Sequence, residues 1–212
     1  MIQQGIINKV SRKRAIIEVC LLYLGIACYL AAAGGGLAKR WVIAALSLLL
    51  AFYIVSAVLT KKESAKDYGL RFDNFSKAAI PALLFTFLGV VGLLAFLRTN
   101  SAILWRKSMM GLTLLLYPAY GIAQQAVFQG ILHRRLCLLF PTRVVPILIT
   151  SVSFALVHIG DLTLVMLTFV AGLCWSILFQ RLPNVLTLGI SHGILAAFAY
   201  PLLIGKIPLR ML

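Results

Sequence analysis

The sequence predicts an all-α fold, a polytopic transmembrane helical bundle of about seven spans with no separate soluble domain. Three observations predict it. Of 212 residues, 62% are hydrophobic and 12% charged, and mean hydropathy is +1.01, far from the composition of soluble domains. Apolar runs of roughly 20 residues, the length a helix needs to cross about 30 Å of hydrocarbon, recur along the whole chain. The charges gather between those runs rather than within them.

Residues 1–14 carry Lys9, Arg12, Lys13 and Arg14 among apolar positions, a pattern that suits a short basic segment lying on the cytoplasmic surface. The bundle then occupies residues 15–212, with spans near 15–37, 41–60, 78–97, 109–132, 144–160, 162–180 and 184–204. The first run lacks a small-residue cleavage pattern and is expected to stay as a spanning helix. "AAAGGGL" at 31–37 ends a helix or permits close helix contact, and "TKKESAKDYGLRFDNFSKAA" at 60–79 forms a polar link into the third span.

With the N-terminus inside, 13 of the 20 Lys and Arg residues fall on the cytoplasmic side, so the positive-inside rule favours that orientation. A net charge of +15 would suggest nucleic acid in a soluble chain. Here it orients the protein against anionic headgroups, which makes the lipid bilayer a partner and excludes nucleic acid. Cys20, Cys28, Cys137 and Cys174 lie in or beside apolar runs without the spacing of a zinc site and are expected to pack. Neither a metal nor another cofactor is implied.

Polar groups at membrane depth are costly and form the functional shortlist. It contains Glu18, Gln124, Gln125, Gln129, His133, His158, Asp161 and His192. Glu18 lies within a turn of Arg14 and is expected to pair with it at the interface. Asp161 follows Gly160 and is placed to cap the next helix. His133, beside Arg134 and Arg135, is expected at the interface, and Tyr117, two turns before Gln124, near the same cavity. His158 and His192, on two different spans, combine with the glutamine pair on a third into one candidate site as readily as they make separate interhelical hydrogen bonds.

The order "QQAVFQG", "FALVH", "HGILA" resembles the three motifs of the CAAX protease and bacteriocin-processing family of intramembrane endopeptidases, also called CPBP or Abi. That family reads EExxxR, FxxxH and HxxxN on successive parts of a helical bundle. The first motif falls on Gln124, Gln125 and Gln129, the second on Phe154 and His158, the third on His192 and Ala196. "YGLRF" is similar to the family's lead-in, so the resemblance covers roughly residues 68–204. It implies an inner-membrane protein of a bacterium or archaeon that acts on a membrane-associated peptide or protein.

In the family a glutamate assisted by histidine activates water, and the second histidine with the asparagine is thought to stabilise the oxyanion. The resemblance therefore places Gln124, Gln125, His158 and His192 in the catalytic positions and Gln129, Phe154 and Ala196 beside them. This chain matches both histidines and the phenylalanine, and departs at both glutamates, the arginine and the asparagine. A neutral carboxamide nearly matches a glutamate in size but cannot accept the proton. Loss of the base costs about two to four orders of magnitude in rate, and loss of an oxyanion donor about two to three. Turnover by the family mechanism is expected to be negligible.

Two functions follow: an endopeptidase scaffold that restored glutamates would reactivate, or a pseudoprotease that binds a partner, including a bacteriocin-immunity type of protein. A transporter is disfavoured, because no internal repeat and no mid-span acid for ion coupling is visible.

Overall fold

The computed structural model describes residues 10–32, 37–60, 63–97 and 107–205. The expected basic surface segment falls largely outside these. Its last three residues already form the first turn of α1 (Arg12–Ala31), capped by Ser11, whose hydroxyl accepts from the Arg14 backbone N–H at 3.2 Å. The triple glycine also lies outside the described residues. α2 (Leu37–Leu59) follows, then a single 3-10 turn, Ala65–Tyr68. Ser64 and Asp67 form a capping box there, and Gly69 ends the turn with φ +78°, a conformation glycine adopts without strain.

α3 (Phe75–Leu97) carries Pro81 in its second turn, and α4 (Lys107–Gln125) carries Pro118. α4 does not stop where the fourth span was expected to end. It widens into π geometry over Ala126–His133 and continues as α5 (Arg134–Leu139). The expected polar loop from Arg134 is therefore corrected: Arg134 and Arg135 are helical and fully buried. α6 (Val144–Leu156) has 13 residues, which at 1.5 Å each is about 20 Å, short of the hydrocarbon thickness. α7 (Leu162–Arg181) and α8 (Val185–Ala199) complete the bundle, the latter running on as a π turn to Ile204.

Among the described residues all regular structure is helical. α1, α3, α7 and α8 with its extension are long and apolar enough to cross a membrane. Their outward faces are oily: Leu24, Ile80, Leu83, Leu162 and Met166 are all exposed, as lipid contact requires. Two further expectations on α1 are corrected in detail. Cys20 and Cys28 face outward and do not pack, while Cys137 and Cys174 are half-buried.

α8 is the central helix, packing most extensively on α4 and also on α3, while α6 packs on α7. The α4–α8 crossing is backbone against backbone. A Cβ added at Gly189 would lie 2.4 Å from Ile122 Cα, and one at Gly193 2.4 Å from Pro118 Cα. "GISHG" is thus a small-xxx-small contact that brings two helices together at van der Waals range. His192 sits between those glycines, so this crossing sets its position. Around it lies the aromatic core of Phe128, Phe154, Trp175 and Phe179.

Candidate functional site: two histidines around a buried phenylalanine

Phe154 is the hub. Its ring centroid lies 5.3 Å from His158 and 5.3 Å from His192, and it meets Phe128 and Trp175 edge to face at 5.1 and 5.6 Å. The second and third motifs thus converge on one side chain that is 1% exposed. His158 lies just beyond the C-terminus of α6, in the turn that Gly160 (φ +115°) reverses. Its Nδ1 is 3.0 Å from the Phe154 carbonyl oxygen, which can only accept, so Nδ1 carries a proton.

His192 is stacked on Trp175. Trp175 Nε1–H donates to Ser191 Oγ at 3.1 Å, the Ser191 and Thr86 hydroxyls are 2.7 Å apart, and Thr86 Oγ1 donates to the Ala82 carbonyl at 2.7 Å. Thr86 Oγ1 is the donor toward Ser191 Oγ as well as toward the Ala82 carbonyl, so its one proton is shared between two acceptors. The chain fixes Trp175 between α7, α8 and α3, and through the stack it fixes the plane of His192.

Adjacent helical residues point about 100° apart, so Gln124 and Gln125 cannot share one surface. Gln124 lines a cavity of about 220 Å³ together with His158, whereas Gln125 is fully buried. Gln129 is buried and donates from Nε2 to Ser176 Oγ on α7 at 2.9 Å. Ala196, one turn after His192, is buried and offers no polar atom. The structure therefore joins Gln124 with His158, and His158 with His192 across Phe154. It ties Gln129 to a neighbouring helix.

Buried polar groups are nearly always paired. Here Oε1 of Gln124, Gln125 and Gln129 and Nδ1 of His192 are buried without a partner. Each costs about 1–3 kcal/mol if nothing donates or accepts there. His133 Nε2 and the Arg134 guanidinium nitrogens share this state, so it is not confined to the motif positions.

Residues 106–198 match the family model described as type II CAAX prenyl endopeptidase Rce1-like, a segment that contains all three motifs. Over those residues the chain is similar to that family. This bears out the resemblance, and with the four apolar helices it makes the chain an integral membrane protein. No curated protein and no solved structure matches the chain.

Asp161 caps α7 as expected, Oδ1 accepting from the Leu164 N–H at 3.1 Å, and it also lines the cavity beside His158. Asp161 thus brings a carboxylate to the wall that His158 shares. Tyr117 is buried 5.3 Å from Tyr120, and it is Tyr120 that lines the cavity. His133 is not interfacial: it is 1% exposed, with Nδ1 3.2 Å from Thr150 Oγ1 and its ring edge-on to Phe179.

A second polar cluster, which sequence reasoning missed, lies three turns further along the same helix. Arg135 donates to Glu18 and, at 2.8 and 3.0 Å, to both Glu63 oxygens. Arg14 joins Glu18 at 2.6 Å and Glu63 at 2.9 Å, and Tyr68 donates to Glu63 at 2.8 Å. Arg134 Nη2 is 2.7 Å from Glu63 Oε1, off a hydrogen-bonding angle, with its guanidinium 5.3 Å above the Tyr68 ring. Glu18 thus pairs across helices as well as with Arg14. "YGLRF" anchors the same region, since the Gly69 carbonyl accepts from Val185 N at 2.8 Å and the Arg71 carbonyl from Asn184 Nδ2 at 2.9 Å. The available signal was Glu18, an acid inside an apolar run; Glu63, in the polar link, gave none.

Proposed function

We propose that the chain is a membrane-embedded, CAAX-protease-type scaffold that holds a membrane-associated peptide or protein and hydrolyses it negligibly. The observation that carries this reading is the state of the first motif. Gln124, Gln125 and Gln129 keep a buried carbonyl oxygen with no donor, in a site whose histidines remain packed in place. A carboxamide oxygen accepts a hydrogen bond from a peptide N–H or a water but does not take the proton that water activation releases. Binding chemistry survives where hydrolytic chemistry does not.

Asp161 does not stand at the glutamate positions of the first motif, and one of its two oxygens caps α7. Ala196 supplies no oxyanion donor. The same reading takes all seven long helical segments as spans, with the Glu63–Arg135 cluster on the cytoplasmic side and the His158 turn on the other. The partner classes are a cell-envelope enzyme, a peptide precursor or a bacteriocin.

The test is binding and cleavage of membrane-anchored fluorogenic peptides by the full chain in nanodiscs. Binding without cleavage is expected. Gln124→Glu with Gln125→Glu should raise cleavage, and His158→Ala or His192→Ala should abolish what it gains. Histidine-dependent cleavage by the unsubstituted chain would overturn the reading.

A further inference from the structure

The cavity beside His158 has a character of its own. Three tyrosines, Tyr29, Tyr120 and Tyr200, come together there from α1, α4 and the end of α8, with Gln124 and Asp161 completing the wall. Among the described residues that line it, Asp161 is the one carboxylate and there is neither Lys nor Arg.

We propose that this cavity takes a protonated primary amine or guanidinium, the head of a Lys or Arg side chain on the peptide that the scaffold holds. Four features select that ligand. Asp161 supplies the counter-charge. Tyrosine rings and hydroxyls attract cations and accept hydrogen bonds. Gln124 Oε1 is buried without a donor, so a ligand that brings N–H groups satisfies it, and a quaternary ammonium does not. Finally, about 220 Å³ is smaller than the roughly 300–1,000 Å³ of small-molecule sites. It fits the end of a side chain and not a prenyl tail. The inference rests on the peptide-holding reading for the molecule that carries the cation, and on the cavity alone for the cation.

The experiment uses the full chain in phosphatidylcholine nanodiscs and two kinds of probe. The first is n-butylammonium against n-butanol, read by ligand-observed NMR. The second is a pair of membrane-anchored peptides that differ only in Lys against norleucine. The cation should be preferred by about tenfold or more in both pairs, in line with a charge-assisted hydrogen bond. Asp161→Asn removes the charge while keeping a good helix cap. It should erase the preference, with folding checked by thermal melting, and Asp161→Ser serves if the Asn variant does not fold.

Equal binding of butylammonium and butanol, or a preference that survives both Asp161 variants, overturns the inference. Butylammonium binding that depends on Asp161, with neither peptide bound, supports the cavity assignment and overturns the peptide-holding function instead. Competition by phosphatidylethanolamine, with no competition by the Lys peptide, overturns the peptide as the source and assigns the amine to a lipid.

Discussion

His192 lies flat against Trp175, with ring centroids 5.0 Å apart and planes 29° apart. Because Trp175 is itself held by Ser191, the residue next to His192, the stack closes a small loop between α7 and α8. The histidine plane is thus set by an indole on the neighbouring helix. Trp175→Ala should cost about 3–5 kcal/mol, as large-to-small core changes do. Trp175→Phe keeps a ring and loses the N–H donor, for about 1 kcal/mol. Ser191→Ala should cost less in the Trp175→Phe background than alone, since the two changes remove one shared bond. Reversible unfolding in mixed micelles measures all three, and full additivity of the Phe and Ala changes would show that the hydrogen bond does not operate.

The glycine crossing makes a sharper contrast. Gly193→Ala puts a methyl group 2.4 Å from Pro118 Cα, a backbone atom that can yield only if α4 and α8 separate. The expected cost is about 1–3 kcal/mol, with peptide binding weakened because His192 moves with its helix. Gly92→Ala, where nothing lies within 4 Å, should be neutral or stabilising by up to about 1 kcal/mol, since alanine is the better helix former. Equal effects at the two positions would mean that α8 does not touch α4 through these glycines.

Asn184 joins three segments. Its Oδ1 caps α8 by accepting from Thr187 N at 3.0 Å, and its Nδ2 reaches the Arg71 carbonyl at 2.9 Å and Asn74 Oδ1 at 2.8 Å. Asn184→Asp keeps the cap and loses the donor, whereas Asn184→Ala loses both. The alanine variant should be less stable than the aspartate by about 1 kcal/mol, the worth of a cap. Identical melting of the two would show that the cap is not what Asn184 contributes.

Much of this molecule is legible locally. Hydropathy locates α1, α3, α7 and α8, Asp161 announces its helix by preceding it, and the spacing of Phe154 and His158 places both on one face. What is hidden is whatever depends on residues far apart in the chain. Arg134 and Arg135 follow an apolar run, which ordinarily signals a solvated loop, and the acids that bury Arg135 lie 117 and 72 residues away at Glu18 and Glu63. His133 looks interfacial for the same reason and is buried for the same reason. The unequal surroundings of Gln124 and Gln125 need the helix phase and its π widening, which no periodicity in the sequence reveals.

The Glu63 cluster gives a prediction in pH. Burial alone would raise the Glu63 carboxyl. Hydrogen bonds and charge from Arg135, the charge of Arg134 and the Tyr68 hydroxyl outweigh it and hold the group below the usual carboxylate range. A depressed folded value means that stability is fully present above the unfolded value, about 4.3 for a glutamate, and is lost as pH falls through the folded one. Glu63→Gln leaves Arg134 without its carboxylate partner and Arg135 with Glu18 alone, and should cost about 3–5 kcal/mol at neutral pH. The difference between wild type and this variant should stay constant from pH 7 to about 5 and shrink below about 4.3. Other carboxylates titrate in both proteins and cancel in the difference. Added salt should change it little, since the pair is buried and poorly screened. Unfolding free energies of the two proteins across pH 7 to 2 measure this, and a negligible difference at neutral pH would show that Glu63 does not hold α5 to α1.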